Sequence, residues 1–443
     1  MSKHKLASDN IQVPEGYKKT EVGIITEDWE TCMLGDAVEF LDGKRKPIKE
    51  SERAKIRGIY PYYGASGIVD YFNDYLFDED LILLGEDGEN ILSRSTRLAF
   101  RVSGKIWVNN HAHVLNPKPD FNIDFLAEYL ESLDYSLHNS GTAQPKLNQQ
   151  TCRRITVICP PLKEQRAIAQ TLSDVDGLIA ALDQAIAKKR NIKTATMQEL
   201  LTGKKRLPGF DGEWEVKTVE DIADCLDNIR VPLNESQRNR MKGNIPYCGA
   251  NGILDYVNDF IVDDDIILMA EDGGYFDEFD TRPIAYRMFG KCWVNNHAHI
   301  LKAKDNVSQG FLFYSLEHKD IRKFIASGTR TKLNKSEMEK IQIEISYNFM
   351  EQQAIASILS DMDAEIAALE KRRAKTQAII LNTANRHLKT TRIKYHDVGQ
   401  SEFATQKRVI QLFEQQLGYS YLGYWHNNRN IETDKNIELT TNN

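Results

Sequence analysis

Cysteine is scarce in this chain. The six residues, Cys32, Cys152, Cys159, Cys225, Cys248 and Cys292, form no Cys-x-x-Cys pair, and no two occupy matching places in its internal repeat. That spacing excludes a disulfide framework and a cysteine-built zinc site, and it suits a reducing cytoplasm. Long apolar runs are missing as well. None approaches the ~20 residues that span a bilayer, and Met1 to Asn10 is too polar for a signal peptide, so no membrane partner is expected. No Walker loop is present, and no Gly-x-Gly loop follows a strand. Asn116-Pro117-Lys118-Pro119 is not the Asn-Pro-Pro-aromatic motif of an amino-methyltransferase, and it has no second copy. These absences predict a chain that is not catalytic by itself and holds neither metal nor cofactor. An excess of positive charge is also lacking, since the formal net charge is −7. A nucleic-acid partner would therefore have to be met by local basic clusters rather than by the overall charge.

What is present is a duplication. Pro61-Tyr62-Tyr63-Gly64-Ala65-Ser66-Gly67-Ile68 returns as Pro246-Tyr247-Cys248-Gly249-Ala250-Asn251-Gly252-Ile253. Glu86-Asp87-Gly88 returns as Glu271-Asp272-Gly273, and Val108-Asn109-Asn110-His111-Ala112-His113 as Val294-Asn295-Asn296-His297-Ala298-His299. Trp29 finds Trp214, and Arg45-Lys46-Pro47 finds Arg230-Val231-Pro232. The offset is 185 residues at Pro61 and Pro246 and 187 at Gln165 and Gln352. A unit this long is a domain with its connector, not a solenoid repeat. Two similar heads on one chain suggest a molecule that grips something long at two places.

Each unit has two unlike parts. The first reads as an α+β head. Asp80 to Leu84 has the pattern of a buried strand, and Leu98–Val102 and Lys105–Val108 flank Ser103-Gly104 as a hairpin would. Leu126, Leu130, Leu133 and Leu137 predict a helix over residues 125–137. The second part is a helix of about 40 residues, ~60 Å at 1.5 Å per residue. Leu172, Val175, Ile179, Leu182 and Ile186 alternate spacings of three and four, and Ile355, Leu359, Met362, Ile366 and Leu369 repeat the seam. Such stripes predict that the two helices pair as an antiparallel coiled coil, rather than each packing on its own head. The expected boundaries are an arm over 1–16, a first head over 17–160 and a first helix over 161–204. A second head over 205–347, a second helix over 348–390 and a tail over 391–443 follow.

Trp29, the Gly-Ala-Ser-Gly loop, Val-Asn-Asn-His, Ser-Gly-Thr with Lys-Leu-Asn at 140–148 and 327–334, and Pro160-Pro161-Leu162-Lys163-Glu164-Gln165-Arg166 before a long helix together resemble the specificity subunit of type I restriction–modification enzymes. The likeness runs over residues 14–390, in both halves and in order. It departs at the second helix, where Tyr347-Asn348-Phe349-Met350 stands in place of Pro-Pro-Leu-Lys. The resemblance implies two target-recognition domains reading the halves of a split, asymmetric site in double-stranded DNA. It also implies helices that set the spacing and dock two methyltransferase subunits. S-adenosylmethionine would come with those subunits, and ATP and Mg²⁺ with motor/restriction subunits. The tail around Gln406–Phe413 resembles the start of the motor/restriction subunit.

The side chains suit reading. Arg, Lys, Asn, Gln, Ser and Thr address base edges and phosphates. The candidate DNA-binding residues of the first head are Arg45, Lys46, Tyr63, Ser66, Arg94, Arg97, Lys105, His111, Thr142, Gln144 and Lys146. Those of the second are Arg230, Asn251, Arg282, Arg287, Lys291, His297, Thr329, Arg330 and Lys332. Two other classes of function remain open at this point. One is a two-headed metal-dependent nuclease using His111, His113, Glu86 and their copies. The other is a coiled-coil adaptor whose heads bind protein.

Overall fold

The computed structural model describes residues 13–141, 144–326 and 331–388. Candidates Thr142, Thr329 and Arg330, most of the arm and the tail lie outside the described residues. The chain divides within its long helices. Residues 182–371 form one compact unit, and the described residues up to 181 with 372–388 form the other.

In the first unit, four strands pair in the order Val38–Phe40, Ala112–Pro117, Leu81–Gly85, Ala99–Val102. A second sheet runs Gly67–Phe72, Arg57–Gly64, Lys105–Val108, Phe77–Asp78. Leu81 to Leu84 are fully buried on both faces. That explains the unbroken apolar run, each side chain of which stabilises the fold by about 1.5–3 kcal/mol. The expected hairpin at Ser103-Gly104 does not form. Ala99–Val102 pairs with Leu81–Gly85, whereas Lys105–Val108 pairs with Phe77–Asp78 and, in parallel, with Arg57–Gly64. Gly104, at φ 70°, bends the chain from one sheet into the other. The second unit makes the same passage without a break. Ala285–Val294 pairs with Val262–Ala270 along its length, and Gly290 has φ 71°. There the sheet is single and six-stranded.

The expected helix over 125–137 is shorter, Ile123–Ser132, with the Asn122 side chain accepting from the Phe125 amide. The chain leaves the helix at Leu133, Tyr135 takes the buried place, and Leu137 is 92% exposed. Each head closes on a two-stranded ladder next to its helix. Glu30–Met33 pairs with Thr156–Cys159, and Trp214–Thr218 pairs with Gln342–Ser346.

The long helices are Leu162–Leu200 and Phe349–Leu388. Within the second unit they run antiparallel. Lys189 pairs with Glu365 at 2.6 Å, Arg190 with Glu370 at 2.5 Å and Lys193 with Asp363 at 2.6 Å, so one number rises as the other falls. Val175, Leu182, Ile186, Leu359 and Ile366 are buried, and Leu172, Ile179, Met362 and Leu369 half-buried. The expectation of a seam separate from the heads needs one correction. Leu200, Ile355 and Leu359 also belong to the core of the second head, so pairing and head packing share the same residues there. Lys193 is buried between Glu317 and Asp363 with its ammonium over the Tyr314 ring.

The second helix starts without the proline pair. Asn348 caps it, its side-chain oxygen accepting from the Met350 amide at 3.0 Å.

Candidate nucleic-acid interface

Four short segments that recur in both halves converge at one edge of each head. In the first head, Ala65-Ser66 is the two-residue tip between Arg57–Gly64 and Gly67–Phe72. A Cβ on Gly64 would lie 2.8 Å from a Val69 methyl, so the hairpin packs closely on itself there. A Cβ on Gly85 would lie 2.9 Å from the Ala65 carbonyl, so the tip touches the turn that carries Glu86 and Asp87. The Asn109 amide donates to the Tyr63 carbonyl at 3.0 Å, and the Asn109 side chain accepts from the His111 amide at 2.7 Å. The Glu86 amide donates to the His111 carbonyl at 2.8 Å, and the Leu147 amide to the Glu86 carbonyl at 2.7 Å. Asp87 bridges Lys146 through the backbone. Tip, acidic turn, Asn-Asn-His turn and Lys-Leu-Asn loop thus form one hydrogen-bonded rim.

The second head repeats the rim bond for bond. The Asn295 amide donates to the Cys248 carbonyl, and Asn295 accepts from the His297 amide at 2.8 Å. The Glu271 amide donates to the His297 carbonyl, and the Leu333 amide to the Glu271 carbonyl. Here the tip is tied directly, since the Asn251 side chain donates to the Gly273 carbonyl at 2.9 Å.

Beneath each rim lies a buried ionic hub. His113 Nδ1 lies 2.7 Å from an Asp42 carboxylate oxygen, and Nε2 lies 2.8 Å from the Leu147 carbonyl. His299 meets Asp227 and the Leu333 carbonyl in the same way, at 2.7 and 2.9 Å. Burial opposes charge on His113, but the hydrogen bonds to Asp42 and Cys152 and the Asp42 charge outweigh it and hold its pKa at about 10. Burial would raise the carboxyls of Asp42 and Asp227, yet their hydrogen bonds to the histidines hold them below the usual range. Glu271 is also held low against burial, by Arg230 and Lys332.

This architecture sorts the candidates. Arg45 and Arg230 are not exposed reading groups, which corrects the expectation for them. Arg45 bonds Glu86 and the Ala112 carbonyl, both at 2.7 Å, and Arg230 bonds Glu271 and the Ala298 carbonyl. Both guanidiniums hold the rim from below. Arg94 pairs with Glu131 under the Ile123–Ser132 helix, Arg97 with Glu128, and Arg287 with Asp265. These are bonds within the heads as well. Tyr63 is half-buried beside Phe100. Ser66, His111, Gln144, Lys146, Asn251, His297 and Lys332 stand on the rims, exposed or half-exposed. His111 contacts Asp87 at 2.9 Å and His297 contacts Asp272 at 2.6 Å. Lys146 and Lys332 salt-bridge to Glu86 and Glu271 at 3.3 and 2.9 Å. Lys46 is exposed beside the Trp107 ring. Lys105 lies over Tyr60 and Tyr75, Lys291 over Phe260, and Arg282 over Tyr275. The sequence reading passed over Asn110 and Asn296, both exposed at the rims. Their signal was the repeated Asn-Asn-His motif, in which the first asparagine is structural and the second faces out.

A metal-nuclease reading fails on this geometry, because both nitrogens of His113 and of His299 already face oxygen partners. The trio Cys225, Asp227 and His299 lies close enough to hold an ion, but His299 has no free nitrogen for it. Phe40 takes the place of Cys225 in the other head.

Two α+β heads with one repeated polar rim, each leading into a long helix, define a two-headed recognition protein. The chain belongs to the family of the type I restriction modification DNA specificity domain, whose model matches it twice, at residues 26–189 and 211–378. A type I restriction enzyme specificity subunit of Haemophilus influenzae is 36% identical over 141 residues, which is 32% of this chain and 35% of that relative. The MjaVIII specificity subunit of Methanocaldococcus jannaschii is 24% identical over 417 residues, covering 82% of this chain and 92% of that one. The S subunit of a type I restriction–modification system from M. genitalium shares the fold. Its TM-score is 0.56 at 17% identity, over 84% of this chain and 97% of that structure.

Proposed function

We propose that this chain is the DNA-reading and spacing subunit of a type I restriction–modification complex in the cytoplasm. Each head reads one half of a split site in double-stranded DNA. The paired helices set the unread spacer and dock two methyltransferase subunits, which bring S-adenosylmethionine. Motor/restriction subunits bring ATP and Mg²⁺, and no step of the chemistry falls to this chain.

The observation that carries this reading is the rim that recurs with some groups kept and others changed. Lys146 and Lys332, His111 and His297, and Asn110 and Asn296 occupy equivalent places. Groups shared by heads with different targets suit phosphates, which carry no sequence information. Ser66 on one tip and Asn251 on the other differ in reach and in hydrogen-bonding pattern, as groups that read bases must. The two half-sites therefore differ in sequence.

The test is methylation mapping with the reconstituted complex. Asn251→Ala should relax discrimination at one position of one half-site by about 1–3 kcal/mol and leave the other half-site untouched. Unchanged discrimination throughout would remove Asn251 from the reading surface.

A further inference from the structure

One buried side chain recurs at the junction between head and helix. Gln165 and Gln352 are each 1% exposed, in the first turn of their helices. Gln165 Nε2 donates to the Pro160 carbonyl at 2.8 Å and to the Asp120 carbonyl at 3.0 Å, and its Oε1 accepts from the Asn122 amide at 2.8 Å. Gln352 Nε2 donates to the Ser346 carbonyl at 2.8 Å and to the Asn306 carbonyl at 3.4 Å, and its Oε1 accepts from the Ser308 amide at 2.8 Å. A primary amide has two N–H donors and one oxygen, and here each is used. It can sit in one orientation only, so it fixes three pieces of backbone against one another. Those pieces are the end of the head's last strand (Ser346, or Pro160 one residue past Cys159), the loop before the head's own helix, and the long helix itself.

The second copy makes the point stronger. Asp120, Asn122 and Pro160 each lie 186 residues before Asn306, Ser308 and Ser346, but Gln352 lies 187 after Gln165. One residue has been inserted at the helix start and the prolines have gone, yet the three bonds are the same. Different local sequence has been accommodated around an unchanged junction. The neighbouring glutamate adds to the lock in each copy. Trp29 Nε1 donates to Glu164 at 2.9 Å, and Glu351 is held by Arg206 at 2.6 Å and by Ser346 at 2.6 Å.

We propose that Gln165 and Gln352 are positioning residues that fix the angle between each head and its helix, and through it the spacer length the protein accepts. This rests on the reading of the chain as a two-headed DNA reader. A head held at one angle presents its rim at one place along the DNA. Without the clamp the head swivels and tolerates half-sites a base pair nearer or farther.

The experiment uses the full chain in its complex with methyltransferase subunits, on a DNA library in which the two half-sites are fixed and the spacer varies. Gln165→Leu removes all three bonds, and Gln165→Glu keeps the acceptor but loses both donors. Gln165→Asn keeps a polar amide but is one methylene too short to reach all three partners, so it serves if the other glutamine variants fold poorly. The expected result is that methylation at spacers one base pair off rises at least about tenfold relative to the native spacer. Gln352→Leu should do the same from the other head, and the bases read in each half-site should not change. An unchanged spacer preference in active variants overturns the proposal. So does an equal loss at every spacer, which is what a merely structural residue would give. A wild-type complex with no spacer preference would instead sink the functional reading on which the proposal stands.

Discussion

His113 sits where a nuclease reading of the motif would place a metal ligand, but its surroundings make it a structural cation. The Asp42 carboxylate and the Leu147 carbonyl both accept from it, and its pKa is held at about 10. A pKa raised above the unfolded value of ~6.5 means stability that is fully present below pH ~6.5 and is lost as pH rises through about 10. Asp42, whose pKa is depressed, contributes above pH ~4 and is lost under acid. His113→Asn removes the nearer of the two cations beside buried Asp42, leaving Arg45 at 3.6 Å, and should cost about 3 kcal/mol at pH 6. Denaturant titrations at several pH values should show the gap to wild type shrinking as pH approaches 10. A gap independent of pH would contradict the charged state. Lys146 belongs to the other class, exposed and salt-bridged to Glu86 on the rim. Lys146→Ala should weaken DNA binding about equally for all sequences and lower the salt-dependence slope by about one. A change confined to one sequence would make it a base-reading residue.

At the scale of elements, the paired helices are a ruler only if length along them is transmitted. Lys189, Arg190 and Lys193 are ion-paired to the second helix. Four residues inserted after Lys188 leave those pairs in place and add ~6 Å ahead of them, close to one helical turn, so rotational phase is nearly kept. On DNA that corresponds to about two base pairs. The mapped site should keep both half-sites and gain one or two base pairs of spacer. An active insertion mutant with an unchanged spacer would show that the helices are a dock alone. The seam itself was legible in the sequence, because spacings of three and four admit few structures. Its sharing with the second head was not, since Ile355 and Leu359 look the same whether they face a helix or a core. The Ser103-Gly104 hairpin was misread for a related reason. A glycine at positive φ fits a turn and a bend equally well, and only the strand partners distinguish them. Leu137 continued the helical spacing of Leu126, Leu130 and Leu133, but the chain had already turned and Tyr135 filled the core.

For the whole molecule, the duplication was the most informative feature, because repeated motifs marked the segments that meet at each rim. It could not say which member of a motif faces out. Arg45 and Arg230 repeat as faithfully as Lys146 and Lys332, yet the arginines hold the rim from inside. Burial separates them, and burial depends on the tertiary path of each loop. The Glu-Gln pair at each helix start was visible in the same way, but its three bonds depend on loops some forty residues upstream.

The central claim is that two independent readers share one chain. The most direct measurement replaces residues 17–155 with the head of another member of the family and maps methylated DNA in a host that carries the complete system. One half-site should change to that of the donor head, while the other half-site stays as it was. Changes in both half-sites, or in neither, would contradict the account.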